Sequence, residues 1–234
     1  MTTVKHVDQV AGDRAAPRHP EGGPPSAAPP QDGRRARWTE HRRARREDLV
    51  GAAVAAVRSI GPEFAVDDVA RSAGVSKTVI YRYFSDKDEL VDAVLDRISR
   101  TVLLPRLLGE ITREHADDRA ALRAVITAFV SLIEDEPELY RFAYAQTGRS
   151  GRADLVADAE HQIAGALATI MAARLERAGQ PGEPATTWAY GIVGMVQLSA
   201  HWWSTARTVP AGELIEQLVC LADGGLGTLL PPAR

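Results

Sequence analysis

From Leu49 onward apolar residues recur every three or four positions, and no stretch alternates with period two long enough to make a strand. Leu49, Ala53, Ala56 and Ile60 share one face of a helix that Gly61-Pro62 ends, because proline cannot continue the hydrogen-bond ladder. A short helix is predicted over 66–73, with Asp67 and Asp68 in the first turn, where the helix dipole favours negative charge. Gly74 breaks it, and Ser76 is a suitable N-cap for a third helix over 77–84. Ser85 is expected to cap a fourth, about 86–100, with Asp86, Asp88 and Glu89 in its opening turn and an apolar stripe of Leu90, Val94, Leu95 and Ile98. Helical periods then continue over about 101–114, 118–135, 137–147, 153–179, 184–207 and 211–223. Breaks fall at Glu136-Pro137, from Gly148 to Gly151, from Gly179 to Pro184, and at Val209-Pro210. The predicted fold is all-α.

Upstream the pattern fails. Residues 1–33 are rich in Pro, Gly, Ala and Ser without apolar periodicity, and are expected to be a disordered extension. A basic run follows (Arg34, Arg35, Arg37, Arg42, Arg43, Arg45 and Arg46). The net charge of −3 over 234 residues conceals an asymmetry. Residues 34–90 hold 12 Lys and Arg against 9 Asp and Glu, whereas 101–234 hold 11 against 16. One part is suited to a polyanion and the other is not. The division predicted is a basic domain over 34–95 and a larger helical domain over 96–230.

Other classes are constrained by what the sequence holds. Cys220, the single cysteine, has no partner for an intramolecular disulfide and reads as a small core residue on an apolar helix. The longest apolar run, 188–203, is interrupted by Gln197 and His201 and is too short to span a bilayer. No secretory signal is visible, so the expected location is the cytoplasm, with no membrane partner. Asp154, Asp158, Glu160 and His161 lie close together on one helix, but a solvated polar face explains them better than a metal or acid–base site. Gly148-Arg149-Ser150-Gly151 lacks the strand context of a phosphate loop, and no cofactor is expected.

Two helices joined by a tight glycine turn form a helix-turn-helix, whose second helix can enter a major groove. Val69, Ala70, Ala73, Val75, Ile80 and Phe84 have the spacing of a small shared core. That leaves Lys77, Thr78, Tyr81, Arg82 and Tyr83 outward: donors, aromatic edges and a cation suited to phosphates and base edges. Tyr81 and Tyr83 have a second reading, as a seal on that core. The arginine run, Arg42 and Arg45 included, reads either as a solvated helix face or as an arm for phosphates or the minor groove.

Val69-Ala70, Ala73-Gly74-Val75-Ser76-Lys77, Ile80-Tyr81-Arg82-Tyr83-Phe84, and Lys87 with Leu90 closely resemble the N-terminal signature of the TetR family of transcriptional regulators. The resemblance implies an N-terminal three-helix DNA-binding domain followed by a larger C-terminal helical bundle. It implies that Ser76 and Lys77 meet phosphate or base, and that Thr78 and Val79 face bases, Val79 against a thymine methyl. Tyr81, Arg82 and Tyr83 match backbone- and base-contacting positions, and Lys87 a phosphate-binding lysine. The sequence departs from the family where Ala65 replaces a frequent Thr, and where Asp67 stands near a position basic in some members.

The resemblance further implies a homodimer on a palindromic double-stranded operator, paired through the last two helices. In 188–203, Ala189, Gly191, Gly194 and Ala200 would permit close approach while Ile192, Met195 and Val196 fill space. Leu214, Ile215, Leu218, Val219 and Leu221 would come from the second helix. An effector pocket is implied in the second domain, with candidates Leu103, Leu107, Phe129, Phe142, Tyr144, Gln146, Trp188, Gln197, His201 and Trp202. Its sparse charge points to a small hydrophobic effector that releases a repressor from DNA through the fourth helix. Activation, or a need for a corepressor, is the alternative on the same fold. An enzyme is the rival class and has no nucleophile signature to support it.

Overall fold

A computed structural model describes residues 32–147 and 153–227. These residues form α1 (Asp32–Ile60), α2 (Val66–Ala73), α3 (Lys77–Ile80), α4 (Lys87–Ile98), α5 (Leu104–Thr112), α6 (Asp118–Asp135), α7 (Pro137–Gln146), α8 (Ala153–Arg177), α9 (Pro184–Ala206) and α10 (Ala211–Gly227), with no strand. The extension expected to be disordered lies outside the described residues up to residue 31, and so do the glycines of the 148–151 break. Of the described residues, 32–40 and those from His41 onward fall in separate units. In the first, the basic run is already helical, and the Thr39 hydroxyl donates to the Arg35 carbonyl at 2.9 Å.

In the second unit, α1 to α4 close over one core. Leu49, Ala53 and Val57 meet Phe64, Val69, Ile80, Phe84, Leu90 and Val94, all at most 1% exposed. Leu139 and Phe142 of α7 belong to the same core, with the Phe142 ring edge-on to Phe64 at 5.7 Å. The sequence division at residue 95 did not anticipate this. A core is closed by whichever apolar face fits it, and α7, more than forty residues downstream, supplies the missing wall. The corner is tightened by Arg58, whose two guanidinium bonds to Glu136 (2.9 and 2.8 Å) raise its already high pKa. Gly61 ends α1 at φ 82°, and a Cβ there would run into the Glu138 carboxylate.

The fourth helix does not stop near residue 100. α4 runs without a loop through a π-helical turn, Ser99–Leu103, into α5. Pro105 has no N–H for the Thr101 carbonyl, and its ring crowds that carbonyl. The wider turn just upstream relieves the conflict. The cap also differs from the expected one. Asp86, not Ser85, is the N-cap, accepting from the Glu89 N–H at 2.8 Å. Ser85 instead donates its own N–H to Glu89 Oε2 at 2.7 Å.

The remaining helices form two further layers. α10 packs on α6 and α9 through Val130, Ile133, Trp203, Leu214, Leu218 and Val219. α8 lies along α9. No described helix is long and apolar enough to cross a membrane.

Candidate nucleic-acid interface and interior cavity

The turn between α2 and α3 is made by Gly74 at φ 63°, whose N–H closes onto the Arg71 carbonyl while Val75 N–H reaches Ala70. Regular α-helix covers only Lys77–Ile80, shorter than the predicted 77–84. Residues 81–84 keep turning through tighter bonds, Arg82 to Val79 at 3.2 Å and Tyr83 to Ile80 at 2.9 Å. Ile80 and Phe84 point inward, 1% exposed each. Ser76, Lys77, Thr78, Tyr81 and Arg82 are exposed in one row. Val79 is half-buried, and Tyr83 packs partly against the core, so it combines the two sequence readings.

Three cations of this surface, Lys77, Arg71 and Lys87, are held in place. Lys77 Nζ lies 3.1 Å from Asp67, the departure noted in the sequence, and Arg71 lies 2.9 Å from Asp68. The Lys87 ammonium donates to the Phe64 carbonyl at 2.9 Å and sits over the Phe64 ring. It therefore secures the α1–α2 link, and its remaining protons are free to meet a phosphate. On α1, Arg42 is exposed, and Arg45 is half-buried with its guanidinium 3.7 Å from Asp48. Ala65 offers no capping hydroxyl, but its N–H still donates to Asp68 at 2.8 Å, which is one half of a capping box.

Two carboxylates hold these turns. The Ala65 N–H, then Arg71, lowers the Asp68 pKa, and the Ser85 N–H, then Arg46, lowers that of Glu89. A depressed folded-state pKa contributes stability above the unfolded carboxylate value of about 4 and loses it as pH falls through the folded one. The melting temperature should therefore decline below about pH 4, and the decline should flatten in the Asp68→Asn, Glu89→Gln double variant. An unchanged acid limb in that variant would remove these groups from the account.

Between α4, α5, α6, α7, α8 and α9 lies a cavity of about 640 Å³ with a predominantly apolar wall. Of the candidate effector residues, Leu103, Leu107, Phe129, Tyr144 and Gln197 line it. Phe142 is instead in the DNA-domain core. Gln146 is buried on α7 away from the wall, and Trp188 packs against the α8–α9 core beside Ala189. His201 stands behind the wall, its ring stacked on Tyr144 at 3.3 Å, and burial lowers its pKa toward the neutral form. Trp202 faces outward, 55% exposed.

Sequence reading missed the α8 wall, Ile163, Leu167, Ile170 and Met171, and also Tyr140. The α8 spacing of four, three and one was a visible apolar stripe, but a stripe facing a void and one facing a core look alike in sequence. The Tyr140 hydroxyl is buried and makes no hydrogen bond to a described residue, and burial raises its pKa. In the former acid–base cluster, Glu160 accepts from Gln197 at 2.6 Å and His161 Nδ1 lies 2.6 Å from its own helix carbonyl at Ala157. Among the described residues no group of acidic, His or Cys side chains is gathered for a metal.

The outer face of α9 differs from the expected one. Ala189, Ala200 and Val196 are buried within the protomer, and so are Leu214, Ile215, Leu218 and Val219 of α10. Outward along α9 stand Gly191, Gly194, Leu198 (69% exposed) and Trp202, with Leu221 (61%) on α10. Cys220, expected in the core, is instead exposed on α10. The helices need their broader apolar faces for their own protomer, which leaves this narrower stripe uncovered.

Comparison with known proteins agrees with both halves. The profile "Bacterial regulatory proteins, tetR family" matches residues 49–94, and "Tetracyclin repressor-like, C-terminal domain" matches 109–230. The chain is 36% identical over 202 residues to an uncharacterized HTH-type transcriptional regulator of Mycobacterium tuberculosis, covering 86% of each. It is 30% identical over 170 residues to the HTH-type transcriptional activator FasR of Mycolicibacterium smegmatis, covering 69% of this chain and 73% of FasR. The fold matches a TetR-family regulator from Streptomyces coelicolor with TM-score 0.63 at 20% identity, over 81% of this chain and 82% of that one. It also matches FadR from Bacillus subtilis, solved with stearoyl-CoA, with TM-score 0.60 at 18% identity, over 76% and 98%. An exposed short helix on a glycine turn, a second helical domain, and both family profiles in order have one explanation: this chain belongs to the TetR family of DNA-binding transcriptional regulators.

Proposed function

We propose that the protein works as a homodimer whose two α3 segments read successive major grooves of a palindromic operator, and that an apolar effector in the interior cavity controls this binding. The observation that carries the reading is the outward row Ser76, Lys77, Thr78, Tyr81 and Arg82, left exposed while Ile80 and Phe84 anchor the same turn. Thr78 and Val79 meet base edges, while Lys77, Arg82, Lys87, Tyr81 and Tyr83 position the backbone. Arg42 and Arg45 add phosphate contacts. The domain boundary falls near residue 95, with the dimer and effector functions beyond it.

The cavity reaches the DNA-binding domain by two routes. Leu95 and Ile98 of α4 and Leu139 of α7 belong to the DNA-domain core and also line the cavity. A ligand that presses on these helices shifts the spacing of the two α3 segments by its differential affinity for the two arrangements. The apolar wall suits a hydrophobic effector, and the stearoyl-CoA bound to the structurally similar FadR gives one chemical precedent. Release of a repressor is the first reading. Activation is the second, favoured by the 30% identity to a protein described as an activator. A promoter–reporter strain lacking the gene decides between them: expression rises for a repressor and falls for an activator.

Gel-shift titration on the DNA flanking the gene tests the interface. Lys77→Ala and Arg82→Ala should each weaken binding by about a hundredfold, since a charge-assisted contact is worth about tenfold and is lost from both half-sites, and each should reduce the salt slope by about two. Wild-type affinity and an unchanged slope in both variants would remove α3 from the interface.

A further inference from the structure

The cavity wall is chemically one-ended. Among its described residues the exposed ones are Thr112, Arg113, Glu114, Asp118 and Arg177, and all lie where α5 ends, α6 begins and α8 ends. This is the mouth. The wall's arginines, Arg113, Arg174 and Arg177, are all here. Arg174 pairs with Asp118 across the mouth, and Arg113 pairs with Glu110. Arg177 donates Nε to the Ala173 carbonyl and has no carboxylate partner among the described residues. Eleven residues further along α6 stands Phe129, about 16 Å away at 1.5 Å per residue, with Tyr140 against it at 6.2 Å. Between them the wall is apolar: Leu122, Val125 and Ile126 face Ile163, Leu167 and Ile170. The inner end carries polar atoms but no cation among the described wall residues.

We infer that the effector is a long-chain amphiphile, its anionic head held at the mouth by Arg113, Arg174 and Arg177 and its tail directed inward to Tyr140, Leu139 and Val102. The inference rests on the effector reading above and adds the ligand's charge, its orientation and a length requirement. Last-turn arginines on α8 also complement the helix dipole. Dipole compensation alone, however, does not require a third arginine from α5 at the same opening. A tail shorter than the bore occupies the mouth without reaching the elements shared with the DNA-domain core. Chain length is then read as contact with α7 and the π-helical turn.

Titration of the full-length protein with stearoyl-CoA, stearate, octanoyl-CoA and uncharged octadecanol tests this, with binding followed calorimetrically and operator occupancy by gel shift. Stearoyl-CoA and stearate should both bind and change occupancy, and their ratio separates a phosphate-bearing head from a carboxylate. Octanoyl-CoA should bind without changing occupancy. The Arg113→Glu, Arg177→Glu double variant should lose roughly tenfold or more in affinity for stearoyl-CoA, the size of one charge-assisted bond, with ligand-free operator binding recorded as its folding control. Equal action of octadecanol, or undiminished stearoyl-CoA affinity in the double variant, overturns the head-group assignment while the apolar-effector reading stands. Equal action of octanoyl-CoA overturns the length requirement. Failure of all four probes to bind a protein that still binds operator overturns both readings.

Discussion

Leu198→Glu is expected to convert the protein to a folded monomer and to abolish high-affinity operator binding. Leu198 is 69% exposed at the centre of the α9 stripe, flanked by Gly194 one turn before and Trp202 one turn after. A groove between Leu198, Trp202, Gln217 and Leu221 lies beside it. Such a stripe on a chain whose own cores are already closed is the surface that a second copy would cover. In a two-fold interface each residue acts twice. A buried, unpaired carboxylate at a central position costs about 2 kcal/mol or more per copy, so about 4 kcal/mol per dimer, or a thousandfold in dimerisation. Because the side chain is exposed in the protomer, its fold should not suffer, and circular dichroism should be unchanged. Size-exclusion chromatography with light scattering reads the mass directly. A dimer of undiminished affinity would place the interface elsewhere.

The second large effect concerns folding. Phe142→Ala should destabilise the protein by about 3–5 kcal/mol, since the ring is fully buried and a cavity would remain in a core shared by α1, α4 and α7. Loss of the edge-on contact with Phe64 adds to this. Urea denaturation should show a lower midpoint at similar slope. Phe142→Leu keeps an apolar filler and should lose less. A loss below about 1 kcal/mol for the alanine variant would mean that α7 is not part of the DNA-domain core, contrary to its contacts here.

Much of the fold was legible from periodicity and breakers because those signals are local. Gly61, Gly74, Pro137 and Pro184 mark ends that backbone chemistry enforces wherever the chain goes. The α3 residues were legible for a related reason: a helix-turn-helix core is built from neighbours in sequence, so subtracting Ile80 and Phe84 leaves its outer face. The effector candidates followed a weaker rule, polar or aromatic residues amid apolar ones. That rule does not distinguish Tyr144, on the cavity wall, from Phe142, two residues earlier and on the opposite side of α7.

The amino-acid order by itself determined the helices, the glycine turn, the exposed outer face of α3 and the family, all of which depend on interactions spanning a few residues. Tertiary structure decided which apolar faces meet. It gave α7 to the DNA-domain core, left Leu198 and Trp202 uncovered, and gathered the arginines of α5 and α8 at one end of a bore. Apolar burial is non-directional, so a hydrophobic stripe specifies that it will be covered without specifying by what. Only the competition among the described helices for partners settles that.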